Sequence, residues 1–258
     1  MRIPITMCHG LRDDGDKPLT AQHMDLLLQI AAELKFTSIS YEDLAAWRSS
    51  TRDLPPRPIM FDFDHPVKSM RHGVHEILAR YGFRGNLFIN TGVMDKDDPE
   101  MMSWDEVRQL IDLGWHIGAH TVTHPNLSKL VAKDPDGSML RDELEQCDAT
   151  LKKELGIVAK DFAYTGTSFS TVAEREVAKR YRFGRLWIVQ ANYQADGKEV
   201  RYADLVGAAG ADEPDGGPPF AARYITKDTP AYRLPSMEFQ ALIYTPEAFR
   251  QYLEGALS

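Results

Sequence analysis

The chain has 258 residues, of which 43% are hydrophobic and 26% charged, and carries a formal net charge of -8. That size suits one α/β barrel, and no composition break divides it, so residues 1–258 read as a single domain. The acidic balance, with scattered Lys and Arg, argues against nucleic acid as a partner, and no apolar run approaches the roughly 18 residues of a membrane span.

From the N-terminus, Ile3 to Cys8 forms the first expected strand. No sustained apolar signal region or small-residue cleavage site precedes it, so the expected location is cytoplasmic. A helix is expected around Met24 to Leu34. Leu54-Pro55-Pro56-Arg57-Pro58 cannot continue a helix and leads rigidly into a second strand, Ile59 to Asp64. Further strands are expected at Asn86 to Asn90, His116 to Ala119, Phe162 to Thr165, Arg185 to Val189 and Phe239 to Tyr244. Helix starts are marked by the capping-box spacings Ser103 to Glu106 and Thr171 to Glu174, and by Thr245-Pro246. Gly207 to Pro219, rich in Gly and Pro, is the main loop and a candidate lid. Alternating strands and helices point to a mainly parallel sheet, and seven strands approach the number that closes a barrel. Cys8 and Cys147 form no metal-type pair and read as buried free thiols.

Two segments carry chemistry: Phe61-Asp62-Phe63-Asp64-His65 and His120-Thr121-Val122-Thr123-His124. Histidines four apart on one turn can share an ion, and a catalytic zinc takes three protein ligands with one position left for water. His120 follows the strand His116 to Ala119, and strand C-terminal ends are where barrel enzymes place their sites. Asp64 and His65 arrive at the same end of the second strand. Adjacent strand residues face opposite ways, so both serve one site only if the strand breaks, and Pro66 supplies a break. The alternative is Asp64 as a helix cap with His65 merely exposed.

In order along the chain, Met7-Cys8-His9-Gly10, Pro58 to Pro66, Tyr81-Gly82-Phe83, Gly118 to Pro125 and Phe162-Ala163-Tyr164 resemble the polysaccharide deacetylases of the NodB-homology fold, carbohydrate esterase family 4. The resemblance runs from about Ile5 to Ser170 and weakens in the final third. It implies a distorted (β/α)7 barrel and a metal-dependent carbohydrate N-deacetylase using zinc, with cobalt or nickel as alternatives. The implied substrate is a small molecule or oligosaccharide bearing an N-acyl group. The family pattern T-F-D-D-G then H-[ST]-x-x-H places the base on Asp64 and the metal on His65, His120 and His124. A second register puts the base on Asp62 and a ligand on Asp64, at the cost of an insertion before Tyr81. The family's Arg-x-Pro-Tyr, or Phe-Ala-Tyr-Pro, appears here as Phe162-Ala163-Tyr164-Thr165-Gly166, lacking both Arg and Pro. By resemblance Tyr164 and Thr165 would contact substrate, and the Gly166 N–H would help bind the oxyanion. The base is therefore expected to have lost its usual Arg partner. Leu242-Ile243-Tyr244 is the best counterpart of Leu-x-His, so Tyr244, or else His9 at the end of the first strand, would protonate the leaving amine. The departures leave open a cyclic imide or ureide amidohydrolase of the allantoinase-like kind, or a non-catalytic glycan- or protein-binding descendant.

Overall fold

The structure, a computed structural model, describes residues 1–94 and 98–258. Among the described residues, seven parallel strands close into a barrel: β1 (Ile3–Cys8), β2 (Pro58–Asp64), β3 (Asn86–Ile89), β4 (His116–Ala119), β5 (Asp161–Ala163), β6 (Phe183–Ile188) and β7 (Leu234–Glu238). Closure falls to β1, which pairs with β2 through Thr6 opposite Phe61 and with β7 through Thr6 opposite Met237. Helices α1 (Ala21–Glu33), α2 (Tyr41–Arg48), α3 (Val74–Arg80), α4 (Trp104–Asp112), α5 (Ser138–Leu155), α6 (Thr171–Ala178) and α7 (Pro246–Gly255) connect and surround these strands. This is the (β/α)7 arrangement that the sequence implies. No helix among the described residues is long and apolar enough to cross a membrane.

Alternation sorts each strand into two faces. On β2 the odd positions Ile59, Phe61 and Phe63 join Leu27, Leu28 and Leu78 in the layer between barrel and helices. The even position Met60 joins Ile3, Ile5, Phe88, Ala163, Phe183 and Leu234 in a plug that fills the lower barrel. Each of the larger side chains, Ala163 excepted, contributes about 1.5–3 kcal/mol when fully buried. Above the plug, toward the C-terminal ends of the strands, the same inward column of β2 continues with Asp62 and Asp64.

The helix starts follow the capping chemistry. Ser103 and Glu106 form the expected box before α4, and Thr245 caps α7 with Pro246 in its first turn. Before α6 the cap is Ser170, one residue earlier than expected, accepting from the Ala173 N–H. The last strand departs further from expectation. Phe239 to Tyr244 is a turn, and the strand is Leu234–Glu238. Pro235, Ser236 and Glu238 break the apolar pattern that marks a strand, whereas Phe239, Leu242 and Ile243 are buried from a turn. The Gly207 to Pro219 loop is pinned by Arg201 on Asp212 and by Arg223 on Asp215, at 2.9 and 2.6 Å.

Candidate metal centre

β2 ends at Asp64, and the next residue turns left-handed: His65 has φ +64°. A non-glycine residue in that region is uncommon, and such strain persists where surrounding contacts enforce it. Here the reversal lets Asp64 and His65 face the same mouth. The His65 ring is fixed by Nδ1, 2.8 Å from Asn90 Oδ1.

β4 delivers His120, whose Nδ1 donates to the Ala163 carbonyl at 2.8 Å. That bond fixes the tautomer and leaves Nε2 as a lone pair aimed away from the strand. Nε2 is buried and has no hydrogen-bond partner. Beyond it the chain makes a non-helical turn in which Thr121 and His124 are left-handed, at φ +67° and +59°. Glu143 of α5 ties this turn down, accepting from the Val122 and Thr123 amides, each at 2.9 Å, and from the Thr123 hydroxyl at 2.6 Å. Thr165 donates its hydroxyl to the Pro125 carbonyl and so braces the far side.

The three rings meet in a near-equilateral cluster. Centroids are 5.2 Å apart for His65–His120, 5.0 Å for His65–His124 and 4.9 Å for His120–His124. One nitrogen from each lies within 4.8 Å of the others. Three imidazoles, one with a buried nitrogen lacking any donor, suit a divalent transition metal.

The base candidate is equally well prepared. Asp64 is 2% exposed and takes a two-pronged ion pair from Arg185 of β6, with Nη1 at 3.1 Å from Oδ2 and Nη2 on Oδ1. Burial pushes this carboxyl up, but Arg185 and the His120 and His9 imidazoles outweigh it and hold it well below the usual carboxylate range. Asp64 therefore stays ionised at neutral pH. Asp62, one layer deeper, accepts from Tyr41 at 2.6 Å and Asn86 at 3.0 Å, with Arg185 Nε 3.3 Å away. Burial pushes it up to about 6 against those partners.

Arg185 corrects the expectation that the base lacks an arginine: the guanidinium comes from β6 instead of from the Phe162 motif. The one signal in the sequence is an Arg beside Gly184 within an otherwise apolar strand. Tyr164 is also corrected as a substrate contact. It is fully buried, with its ring edge-on to Phe162 and Phe169, because Gly184 leaves the room that a Cβ would fill. Tyr244 does not reach the cluster either. Its hydroxyl donates to the Pro18 carbonyl at 3.0 Å, and its ring stacks on His23 at 4.4 Å. His9 does arrive, stacked on His65 at 5.3 Å and edge-on to Trp187 at 4.9 Å. Burial pulls it down to about 4. Gly166, at φ +59°, lines a cavity of about 170 Å³ together with His124, Asn126, Thr165, Thr167 and Gln194.

The sequence profile of polysaccharide deacetylases matches residues 51–183. No curated protein sequence matches. Among solved structures, the chain is similar to the Streptococcus pyogenes deacetylase PplD in complex with acetate, at 16% identity and TM-score 0.73, over 98% of each chain. IcaB from Ammonifex degensii is similar at 13% identity and TM-score 0.70, over 100% of this chain and 97% of that one. BC0361, a polysaccharide deacetylase from Bacillus cereus, shares 16% identity at TM-score 0.69, over 98% of this chain and 69% of that one. At these identities the structural likeness speaks to the fold.

Proposed function

The chain belongs to the polysaccharide deacetylase family, and on that premise we propose that it removes an N-acetyl or similar acyl group from a sugar or glycan with the help of a divalent metal. The observation that carries the proposal is Asp64, held ionised by Arg185, beside a three-histidine cluster in which His120 Nε2 is buried without a partner. His65, His120 and His124 would hold the metal, zinc first and cobalt or nickel as alternatives. When bound, it supplies Lewis acidity toward the acyl oxygen and the attacking water.

The chain's own groups do the rest. Asp64 accepts a proton from water, and Arg185 keeps its carboxylate charged and oriented toward the mouth. The Gly166 N–H makes no hydrogen bond among the described residues and is a free donor beside His124, suited to the negative charge that develops on the acyl oxygen. The cavity beside it is lined by neutral polar side chains, Asn126, Thr167 and Gln194, which suit sugar hydroxyls. A similar deacetylase was solved with acetate, the product such a reaction releases.

The test is elemental analysis of wild type and His65→Ala, paired with hydrolysis of N-acetylated sugars in zinc, cobalt or nickel. About one metal per wild-type chain, its loss in the variant and metal-dependent release of acetate are the expected results. Metal content unchanged in His65→Ala would reject the three-histidine site. Turnover of cyclic amides in place of acetylated sugars would move the substrate to the allantoinase-like class.

A further inference from the structure

The mouth of the barrel holds another inward-facing carboxyl. Glu238 ends β7 and shares its inward face with Ser236 and with Leu234 of the lower plug. In register it stands opposite Met7 of β1. Because β1 lies between β2 and β7, Asp64 and Glu238 flank the end of β1 from either side, where His9 emerges. Glu238 is 4% exposed. Its Oε2 accepts the Trp187 indole N–H at 2.6 Å, and its Oε1 accepts the Gln240 amide at 3.2 Å. Trp187 is the residue that meets His9, and His9 stacks on His65. Asp64 has a guanidinium clamped on both oxygens. Glu238 has no such guanidinium on its oxygens: its hydrogen bonds come from neutral donors, and burial is what favours its protonated form over their opposition.

We propose that Glu238 is the acid of this reaction, giving its proton to the amine as the acyl group departs. The proposal rests on the deacylation reading above. In it, water's oxygen bonds to the acyl carbon while Asp64 takes one of water's protons. When the C–N bond breaks, its electron pair stays on nitrogen, which takes the Glu238 proton. A carboxylic acid and a free amine leave. Asp64 then loses its proton to solvent and Glu238 gains one, so no further reactant is needed.

The charged and titratable groups facing Glu238 are Asp64 from β2, Arg185 from β6 and the Cys8 thiol from β1. Burial, the largest influence, raises Glu238 to about 7, with Asp64 also raising it while its two hydrogen bonds and Arg185 oppose. A donor near the working pH is the most effective kind.

The experiment compares N-acetylglucosamine oligomers with 4-nitrophenyl acetate, whose phenolate leaves without a proton, using zinc-supplied protein. Glu238→Gln should lower kcat on the amide by about 10²–10⁴-fold yet hold ester turnover within about threefold. Wild type should show an alkaline fall of kcat near pH 7, and the variant should lack it. Equal losses on both substrates would mark a structural role and overturn the proposal, as would an unchanged amide rate, or the same selective loss in His9→Asn. Should Glu238→Gln not fold, Trp187→Phe removes one hydrogen bond, and its alkaline limb should move to higher pH; an unmoved limb overturns the proposal. Wild type inactive on both substrates removes the deacylation reading and this proposal together. An active wild type with an indifferent Glu238 removes the proposal alone.

Discussion

β4 carries a histidine at its first position and another just past its last, and the two ends of the barrel complete them differently. At the floor, His116 Nε2 lies 3.1 Å from Asp161 Oδ2, and the ring stacks on Tyr41 at 5.4 Å. Asp161 is itself neutralised by Arg182 at 2.6 Å, and Arg182 reaches Glu42 at 2.6 Å. Every charge there has an opposite neighbour, some reaching the surface. At the mouth, His120 spends one nitrogen on the Ala163 carbonyl and keeps the other bare, 3.9 Å from Asp64 Oδ2. Two histidines four residues apart, at the start of one strand and just past its end, thus have different surroundings. Neither Nε2 makes a hydrogen bond, but His116 has a carboxylate at ion-pair distance to hold it in the structure, whereas His120 stands beside two further imidazoles that could share an ion with it.

Substitutions can sharpen or break this contrast. The largest effect is expected at the mouth: His120→Ala should lose the bound metal and reduce acetate release by about 10³-fold or more, since metal and water activation go together. Elemental analysis and acetate assays check it, and retained metal would erase the distinction between the two histidines. Between floor and mouth, Arg185→Leu leaves Asp62 and Asp64 buried without their cation and should cost about 3–5 kcal/mol in urea unfolding. Glu238 comes next, through pH. Its folded-state value, about 7, lies above the unfolded one, so the stability it contributes is complete below about pH 4.5 and is lost as pH rises through 7. Between pH 4.5 and 8 the metal-free wild type should therefore lose roughly 2–3 kcal/mol more than Glu238→Gln. The smallest effect belongs to the floor. His116→Ala should keep metal and turnover while costing about 1–2 kcal/mol by the same unfolding measurement. A loss of turnover there would show that the two ends are coupled.

The barrel and its three-histidine corner were legible because they are local. Asp64-His65-Pro66 and His120 to His124 are contiguous, and each sits where an apolar strand stops. Arg185 and Glu238 were not legible, and for a shared reason. The strand expected from Arg185 starts two residues late, and the one expected from Phe239 starts one residue after the true strand has ended. In both cases a charged residue reads, in the sequence, as a place where a strand begins or has yet to begin. A charge ordinarily does mark an edge, because burying it alone is costly. Inside this barrel Arg185 faces Asp62 and Asp64, and Glu238 faces the Trp187 indole, so the charges are interior and the edge signal inverts. Partners from strands far apart in the chain cancel the cost, and single-sequence periodicity contains no record of them.

The closure of the ring also has a temporal consequence. β1 pairs with β2 and with β7, so a ribosome makes Ile3–Cys8 long before its second neighbour, Leu234–Glu238. At ordinary elongation rates the interval between Cys8 and Leu234 is on the order of ten to forty seconds. Through that time one edge of β1 lacks its native partner, and such an edge invites foreign strands. The chain should therefore depend on chaperones, or on the shielding of its N-terminal strand, more than its final stability would suggest.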